Sequence, residues 1–428
     1  MRTVNTWKSV VIWSIISAAF IGPGTVTTAV SAGSIFKLSL LWSVVFATVA
    51  CIMLQEIAAR ITIASGLNVG QALKKKFGSR HGATLQWLVG GSVIAGCAAY
   101  EAGNIMGAVS GMNLITGMNI KVLTVIISLT SFAVLWIGNP SWISNLMTFL
   151  VAVMGVSFLL LAFGQHFSVG EIFTASVVPS IPAGSELLVL GLVGTTVVPY
   201  NLFLGSGISK GQTIPFMRVG LAISVFIGGL ITAAILVAGT AVVDFSSFPI
   251  LFAEFEAKSS YLGAVAMALG LFAAGFSSAI TSPYASAVIA RTVFEMKNEN
   301  YVKIVWILVL LTGFMFGISG LRPIPVILVV QALNGLILPL LVAFLILVVN
   351  DRSIMPDEHR PSVLYNVILL FVLFAVLMIS LNNIEKPVAT AFNLPGNHLG
   401  AMVVITSLVV VAVAWVVFHT DGRTSEEV

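Results

Sequence analysis

Long apolar runs separated by short polar stretches set the strongest limit on what this chain of 428 residues can fold into. Only 8% of its residues are charged and 58% are hydrophobic, whereas about 25% of the residues of an ordinary soluble domain are charged. A helix that crosses a bilayer needs about 20 predominantly apolar residues. The sequence therefore predicts one all-α integral membrane domain over residues 1–428, with twelve transmembrane segments at about 8–34, 38–61, 84–111, 120–138, 144–164, 185–209, 214–243, 261–293, 301–319, 323–349, 363–382 and 399–418.

The first and sixth of these segments are interrupted by proline. Gly22-Pro23-Gly24-Thr25 breaks the first segment, and Val197-Val198-Pro199-Tyr200-Asn201 breaks the sixth. Proline cannot continue a regular helix, and a bilayer tolerates opened backbone only where it lies in protein or lines a cavity. Two broken helices in corresponding positions are typical of a secondary transporter, whose binding site lies between the breaks.

The breaks open two blocks of five segments, at about 8–164 and 185–349, and residues 363–418 form two additional peripheral helices. Because five is odd, the second block begins on the opposite side of the membrane, as an inverted-topology repeat requires. Lys and Arg concentrate in the loops on the side of the N-terminus, including the run Lys74-Lys75-Lys76. The positive-inside rule then predicts a multi-pass protein of the plasma (inner) membrane with both termini in the cytoplasm. The net charge of +4 is spread through loops and does not indicate nucleic-acid binding.

The polar groups at the breaks are the candidate binding residues. Half-helix N-termini suit a carboxylate, and the carbonyls of unwound backbone suit a cation. The alternative is a pair of proline kinks whose freed backbone groups are satisfied by neighbours, with Tyr200 and Asn201 bonding only to that backbone. The candidate substrate-binding set is Gly22, Gly24, Thr25, Thr195, Thr196, Val198, Tyr200, Asn201 and Gln331.

Two further groups bear on coupling. Glu101 lies deep in the third segment, where a buried carboxyl can take and release a proton, or can instead be a neutral structural partner. Ser277 and Ser278 in the eighth segment could complete a Na⁺ site with carbonyls of the first break, or bond back to their own helix. The expected partners are therefore a small-molecule substrate, H⁺ or Na⁺ as coupling ion, and the lipid bilayer.

Nothing in the sequence indicates catalysis or a cofactor. The five histidines lie outside the interiors of the predicted spans, and the two cysteines, Cys51 and Cys97, both lie within spans. There is no nucleophile–base pairing and no phosphate-binding Gly-Lys-Ser/Thr motif. We therefore expect neither an enzyme, nor a resident metal centre, nor a cofactor.

Short motifs in order along the first ten segments carry a family resemblance: Gly22-Pro23-Gly24-Thr25, Ala32-Gly33, Leu40-Leu41-Trp42, Leu54-Gln55-Glu56-Ile57-Ala58-Ala59-Arg60, Val198-Pro199-Tyr200-Asn201-Leu202-Phe203-Leu204, Ala273-Ala274-Gly275-Phe276-Ser277-Ser278, and Gln331 with Leu338-Pro339. In this order and spacing they resemble the NRAMP (natural resistance-associated macrophage protein) family of proton-coupled divalent-metal transporters. The resemblance implies the LeuT fold: two inverted repeats of five helices, with helices 1 and 6 broken.

The departures from the family pattern fall on its metal site. Gly22 and Thr25 stand where the family has metal-ligating Asp and Asn, and Val198 stands where it has a ligating Met. Tyr200 replaces a His, and Ala98 replaces an Asp linked to proton movement, whereas the neighbouring Glu is kept as Glu101. The resemblance therefore implies a divergent member that keeps the scaffold without the metal-site residues.

These departures lead to three functional hypotheses. A divalent cation without a carboxylate or thioether ligand would be poorly compensated for its lost hydration. The changes to glycine and valine are also expected to enlarge the site. The preferred hypothesis is therefore proton-coupled transport of a small organic solute, amino-acid-like or carboxylate, by alternating access. The first alternative is a proton-coupled divalent-metal transporter of Mn²⁺/Mg²⁺ type, its site rebuilt from Thr25, Asn201, Gln331 and carbonyls. The second, of another class, is a non-transporting membrane sensor.

Overall fold

The structure, a computed structural model, describes residues 6–243, 245–327, 330, 337–392 and 398–419, with the side chains of 79–83 and 382–392 left out. Every regular element within these ranges is helical. The α-helices are α1 (Thr6–Phe20), α2 (Pro23–Phe36), α3 (Leu41–Ser65), α4 (Val69–Phe77), α5 (Ser79–Thr116), α6 (Ile120–Ile137), α7 (Pro140–Phe163), α8 (Val169–Val177), α9 (Glu186–Thr196), α10 (Pro199–Ser209), α11 (Ile214–Gly239), α12 (Phe248–Lys258), α13 (Tyr261–Thr292), α14 (Glu299–Ile318), α15 (Leu338–Val349), α16 (Val363–Phe392) and α17 (Leu399–His419).

The predicted spans coincide with these helices. Within the described ranges, nine helical segments are long and apolar enough to cross a membrane, and α1 and α15 are shorter apolar helices. The described part of the tenth predicted span comprises residues 323–327, 330, 337 and α15. The longest described helix, α5, runs for 38 residues and carries Glu101. The protein is therefore an all-α, multi-pass membrane protein, as the sequence predicts.

Both helix breaks lie where the prolines predict them. The helix α1 ends at Phe20 and α2 begins at Pro23, with Gly22 in extended backbone at φ −99° and ψ −178°. The helix α9 ends at Thr196 and α10 begins at Pro199, with Val198 extended at φ −88° and ψ 129°. Proline suits the first position of a helix because the missing N–H has no intrahelical partner there. Each break is thus a change of backbone conformation that leaves two half-helices.

Close helix packing holds the first break against α5 and α13. A Cβ atom on Gly107 of α5 would overlap the ring of Pro23, and a Cβ on Gly275 of α13 would overlap the backbone of Ala108. In lipid, small residues let helix backbones approach in this way, and van der Waals packing then holds the helices together. The start of α2 is consequently packed closely against α5, which is itself packed closely against α13, and this arrangement positions the site described next.

Candidate functional site

A cavity of about 20 Å³ lies between the two breaks. A water molecule needs about 10–15 Å³ of such space, so the cavity has room for one or two water-sized species in this conformation. Seven of the residues that the sequence singles out line it: Gly22, Gly24, Thr25, Thr195, Val198, Tyr200 and Ser278. It is completed by four residues that the sequence analysis did not select: Ala19, Phe20, Tyr100 and Asn104.

Hydroxyl groups satisfy the last carbonyls of α1. The Oγ atoms of Ser277 and Ser278 donate to the Ala18 carbonyl oxygen at 3.1 and 3.3 Å. The phenol of Tyr200 donates to the Ala19 carbonyl at 2.8 Å, and Thr25 donates to the Phe20 carbonyl. A carbonyl oxygen has two lone pairs. The Ala18 carbonyl already accepts from two serines, whereas the carbonyls of Ala19 and Phe20 can each accept a second partner. The carbonyls at the break are therefore already bonded before any substrate enters.

Tyr200 occupies much of the space between the half-helices. Its side chain is 2% exposed, and its ring meets the ring of Tyr100 edge to face with centroids 5.7 Å apart. Glycine and valine at the family's ligand positions predict a roomy pocket. That expectation is wrong in this conformation because the bulk and the hydrogen bond of Tyr200 close the space.

Asn104 and Glu101 form a buried polar pair beside the cavity. The Nδ2 atom of Asn104 donates to Glu101 Oε2 at 3.2 Å, and the Glu101 side chain is completely buried. Glu101 Oε1 has no hydrogen-bond partner in the part of the chain that the structure describes. A buried carboxyl oxygen without a hydrogen-bond partner raises the free energy of the folded protein. A proton or a cation bound at this oxygen would therefore be stabilising.

The position of Gly22 explains why Asn104 matters. A Cβ atom added to Gly22 would lie 3.0 Å from Ser278 Oγ and 3.6 Å from Asn104 Oδ1. The space that an acidic side chain would enter from α1 is thus bounded by oxygen atoms of α5 and α13. Asn104 follows Glu101 by three residues, hence on the same helix face, and this spacing was the sequence signal that could have revealed it.

The remaining predicted residues lie at the edge of the site or outside it. Thr195 and Thr196 donate to the Leu192 carbonyl of their own helix at 3.2 and 2.9 Å. Asn201 approaches the Ile16 carbonyl with its amide at 3.5 Å and does not line the cavity. Gln331 lies outside the described residues. The hydroxyls of α13 likewise serve the α1 backbone, so only part of the predicted set shares one cavity.

A larger cavity, of about 880 Å³, lies between α1, α7, α10 and α13. It lies on the side of Lys8 and Lys210, which the sequence predicts to face the cytoplasm. Next to it, Trp13 Nε1 donates to Gln212 Oε1 at 3.1 Å, which joins α1 to the segment after α10. The protein thus has a large cavity on the side predicted to be cytoplasmic and a nearly closed central cavity between the breaks.

The groups around the central cavity that could bind a cation are oxygen atoms. Within the described ranges, no group of three or more His, Cys, Asp or Glu residues is placed to hold a metal ion. A cation between the breaks would meet hydroxyl, amide and carbonyl oxygens, with the carboxyl of Glu101 behind Asn104. Hard cations prefer such ligands.

Comparison with known proteins identifies the family. The family model described as "Natural resistance-associated macrophage protein-like" matches residues 14–385 of this chain. The chain belongs to the NRAMP family. The resemblance carried by the sequence motifs is therefore confirmed, and with it the assignment to a family of membrane transporters.

NRAMP relatives resemble the chain at low identity over most of its length. The "Divalent metal cation transporter MntH" of Verminephrobacter eiseniae (strain EF01-2) is 25% identical over 360 residues, which cover 80% of this chain and 81% of the relative. The protein of the same name from Bacillus subtilis (strain 168) is 24% identical over 361 residues, covering 80% and 83%.

Solved structures share the fold. A single-residue mutant of the Eremococcus coleocola manganese transporter superposes with a TM-score of 0.76 at 20% identity, covering 98% of this chain and 96% of that one. A Na⁺-coupled sialic acid symporter superposes less closely, with a TM-score of 0.57 at 14% identity, covering 95% and 88%. The predicted LeuT fold, with broken helices 1 and 6 and inverted repeats, is thereby confirmed.

The comparisons correct the preferred functional hypothesis. NRAMP relatives carry the name of divalent metal cation transporters, so transport of an amino-acid-like or carboxylate solute is not supported. Symport and Na⁺ coupling find no support among these relatives either. The hypothesis assumed that the missing acidic and thioether side chains leave empty space. Tyr200 instead occupies that space, and the cavity that remains measures about 20 Å³.

Proposed function

We propose that this protein transports divalent metal cations of the Mn²⁺/Mg²⁺ type across the plasma membrane, with both termini in the cytoplasm and a proton as the coupling ion. One observation carries the proposal: in a chain of the NRAMP family, the cavity between the two broken helices is water-sized and is bordered by residues that carry hydroxyl, amide and carbonyl oxygens. The names of the relatives support the substrate class.

The oxygen atoms around the cavity suit a hard cation. The proposed direct ligands are Asn104 Oδ1, Ser278 Oγ, Thr25 Oγ1 and the carbonyl oxygens of Ala19 and Phe20, which border the same cavity. The hydroxyl groups have to turn their protons away when a cation arrives, since they then act as acceptors. Mg²⁺ keeps several water ligands in proteins, so a site with few direct ligands is compatible with a partly hydrated ion.

Glu101 supplies the negative charge that the direct ligands lack. An ionised carboxylate that is buried without a paired cation carries a large desolvation cost, and Glu101 Oε1 has no partner among the described atoms. A divalent cation held by Asn104 would offset that cost. We propose that Glu101 gives up its proton as the cation binds and takes a proton again when the cation leaves.

Uptake into proteoliposomes tests the substrate class. The purified protein is expected to accumulate Mn²⁺ and Mg²⁺ above the level of protein-free liposomes. Soft Cd²⁺ should have little advantage over Mn²⁺, because no thioether lines the cavity. Absence of uptake of any divalent cation would contradict the proposal, and Mn²⁺ binding without uptake would favour the sensor hypothesis.

The pH dependence of uptake tests Glu101. The wild-type rate should change with an imposed proton gradient, and Glu101→Gln should make it insensitive to that gradient because the amide cannot release a proton. Glu186→Gln, the same change at an exposed residue at the start of α9, is the matched control. If the Glu101→Gln protein keeps the wild-type pH profile, Glu101 is structural and the proton travels elsewhere.

Asn104 is tested by truncation. Asn104→Ala removes the proposed ligand and should raise the KM for Mn²⁺ by about tenfold, the size expected for one lost hydrogen-bonding group next to a charge. Asn113→Ala, near the end of the same helix, should leave the KM unchanged. An unaltered KM in Asn104→Ala would show that the cation is held by other groups.

A further inference from the structure

A second cavity lies away from the helix breaks. It measures about 490 Å³ and is formed by the C-terminal half of α3, the first turns of α11 and the residues that lead into α16. Three guanidinium groups line it, from Arg60, Arg218 and Arg360, together with a single carboxylate, Glu56. Transport through the central site makes no use of these residues.

Glu56 holds two of the guanidinium groups in fixed positions. It accepts hydrogen bonds from Arg60 Nε at 2.9 Å and from Arg218 Nε at 2.8 Å. The phenol of Tyr365 donates to the same carboxylate at 3.1 Å, and the Arg60 guanidinium lies 5.1 Å from the centre of the Tyr365 ring. Arg60 is only 5% exposed. The guanidinium groups of Arg60 and Arg218 are therefore held in place before any ligand binds.

The charges of this arginine pocket do not balance. Three positive side chains line it against the one carboxylate of Glu56. Arg360 also pairs with Asp357, whose side chain is 83% exposed and points into solvent. With Asp357 included, one positive charge remains in excess. Excess positive charge in a partly enclosed pocket attracts an anion.

The surroundings of the pocket are those of a membrane interface. Ile52, Met53 and Leu221 add apolar walls beside the guanidinium groups. Further along α3 and α16, in the direction of the membrane interior, Val49 and Phe371 are 49% and 60% exposed on the outer surface of the helix bundle. An apolar surface thus continues from the charged pocket into the hydrocarbon region.

We propose that the arginine pocket binds the phosphate group of an anionic phospholipid, whose acyl chains lie along α3 and α16. Guanidinium groups bind phosphate oxygens through paired hydrogen bonds, and basic pockets between transmembrane helices recognise anionic headgroups. The apolar walls favour a lipid over free phosphate as the source of that group. The lipid would tie α16 to α3 and α11, and it would do so whether or not the transport proposal holds.

Thermal unfolding of the purified, detergent-solubilised protein tests this site. Phosphatidylglycerol should raise the apparent Tm in a concentration-dependent way, since a ligand of the folded state stabilises it by mass action. Phosphatidylcholine with the same acyl chains should raise it much less. Inorganic phosphate should have little effect. Equal stabilisation by inorganic phosphate would overturn the assignment to a lipid, and equal stabilisation by phosphatidylcholine would overturn the role of charge.

Charge-removing variants locate the effect. Arg218→Gln and Arg360→Gln should each weaken phosphatidylglycerol binding by about fivefold, which corresponds to one basic residue at a membrane surface. The Arg218 side chain is 53% exposed, so its removal leaves the core intact. Lys74→Gln removes the same charge from an exposed position on α4 and should change nothing.

Native mass spectrometry supplies a second readout on the same variants. Retention of one phosphatidylglycerol by the wild type and by Lys74→Gln, with loss from both arginine variants, is the expected result. Equal retention by all four proteins would overturn the proposal, even if one arginine variant proves less stable.

Discussion

The phenol of Tyr200, on α10, donates a 2.8 Å hydrogen bond to the carbonyl oxygen of Ala19, in the last turn of α1. This bond joins the two broken helices across the cavity that separates them. It uses one lone pair of a carbonyl that we propose as a cation ligand. The bond therefore stabilises the empty site, and a bound cation has to compete with it.

Removing the Tyr200 hydroxyl should show whether it competes with a cation for the Ala19 carbonyl. Tyr200→Phe removes the hydroxyl and should lower the free energy of unfolding of the cation-free protein by about 1 kcal/mol, the usual value for one hydrogen bond. Because the Ala19 carbonyl is then unpaired, Mn²⁺ should raise the Tm of the variant more than that of the wild type. Thermal unfolding with and without Mn²⁺ measures both effects.

The control for this variant is Tyr261→Phe, which removes an exposed hydroxyl at the start of α13. It should match the wild type with and without Mn²⁺. A smaller Mn²⁺ effect in Tyr200→Phe than in the wild type would mean that the phenol itself assists cation binding.

An acidic residue at position 22 should strengthen the site. The backbone of Gly22, at φ −99° and ψ −178°, is accessible to any L-residue, and the nearest obstacle to a Cβ is the movable hydroxyl of Ser278 at 3.0 Å. Gly22→Asp should therefore fold and lower the Kd for Mn²⁺ by about tenfold or more, through one charge-assisted contact. Isothermal titration measures the affinity.

Gly22→Asn serves as the matched variant, with nearly the same shape and no charge. It should give much less than the gain of Gly22→Asp. An equal gain in Mn²⁺ affinity in both variants would mean that side-chain shape, not charge, causes it. No gain in either variant would mean that the cation binds away from α1.

Close packing at Gly107 should be needed for the first break to form. A Cβ atom there would overlap the ring of Pro23, so Gly107→Ala should force the start of α2 away from α5. We expect a loss of about 1–3 kcal/mol in the free energy of unfolding, the usual result of overpacking, together with reduced Mn²⁺ uptake. Gly91→Ala is the control on the same helix, because open space surrounds that position. Equal stability of the two variants would show that α2 can shift without loss.

The ion pair between Lys76 and Asp351 should make stability depend on pH. It joins α4 to the loop that follows α15. Burial acts to raise the pKa of Asp351, but hydrogen bonds from Lys76 and Ser353 and the charge of Lys76 outweigh it and hold the pKa below its ordinary value. A carboxylate with a lowered folded-state pKa stabilises the protein above its unfolded-state pKa, and this contribution is lost as the pH falls through the folded-state pKa.

Asp351→Asn tests that contribution. The variant should have a lower Tm than the wild type at neutral pH, and the difference should shrink as the pH is lowered below the ordinary pKa of an aspartate. Asp357→Asn, at a side chain that is 83% exposed, should show a smaller difference at every pH. If the difference in Tm between Asp351→Asn and the wild type stays constant as the pH falls, the effect of the substitution is due to packing.

The sequence alone determined the scaffold. Apolar runs of membrane-spanning length fix the helices because a bilayer offers no partner to exposed backbone, and Pro23 and Pro199 fix the breaks because proline cannot continue a helix. The motifs around these prolines also identified the family correctly. These features are local, so they can be read without knowing which helices touch.

Only the tertiary structure decided what the site contains. The sequence shows that Gly22 and Val198 lack ligand groups, but not that Tyr200 reaches Ala19 and closes the space, nor that Asn104 faces the position from which an acidic residue of α1 would extend. Those contacts join residues far apart in the chain through helix rotation and packing. Side-chain volume at a site depends on such neighbours, and for that reason the organic-solute hypothesis failed while the fold prediction held.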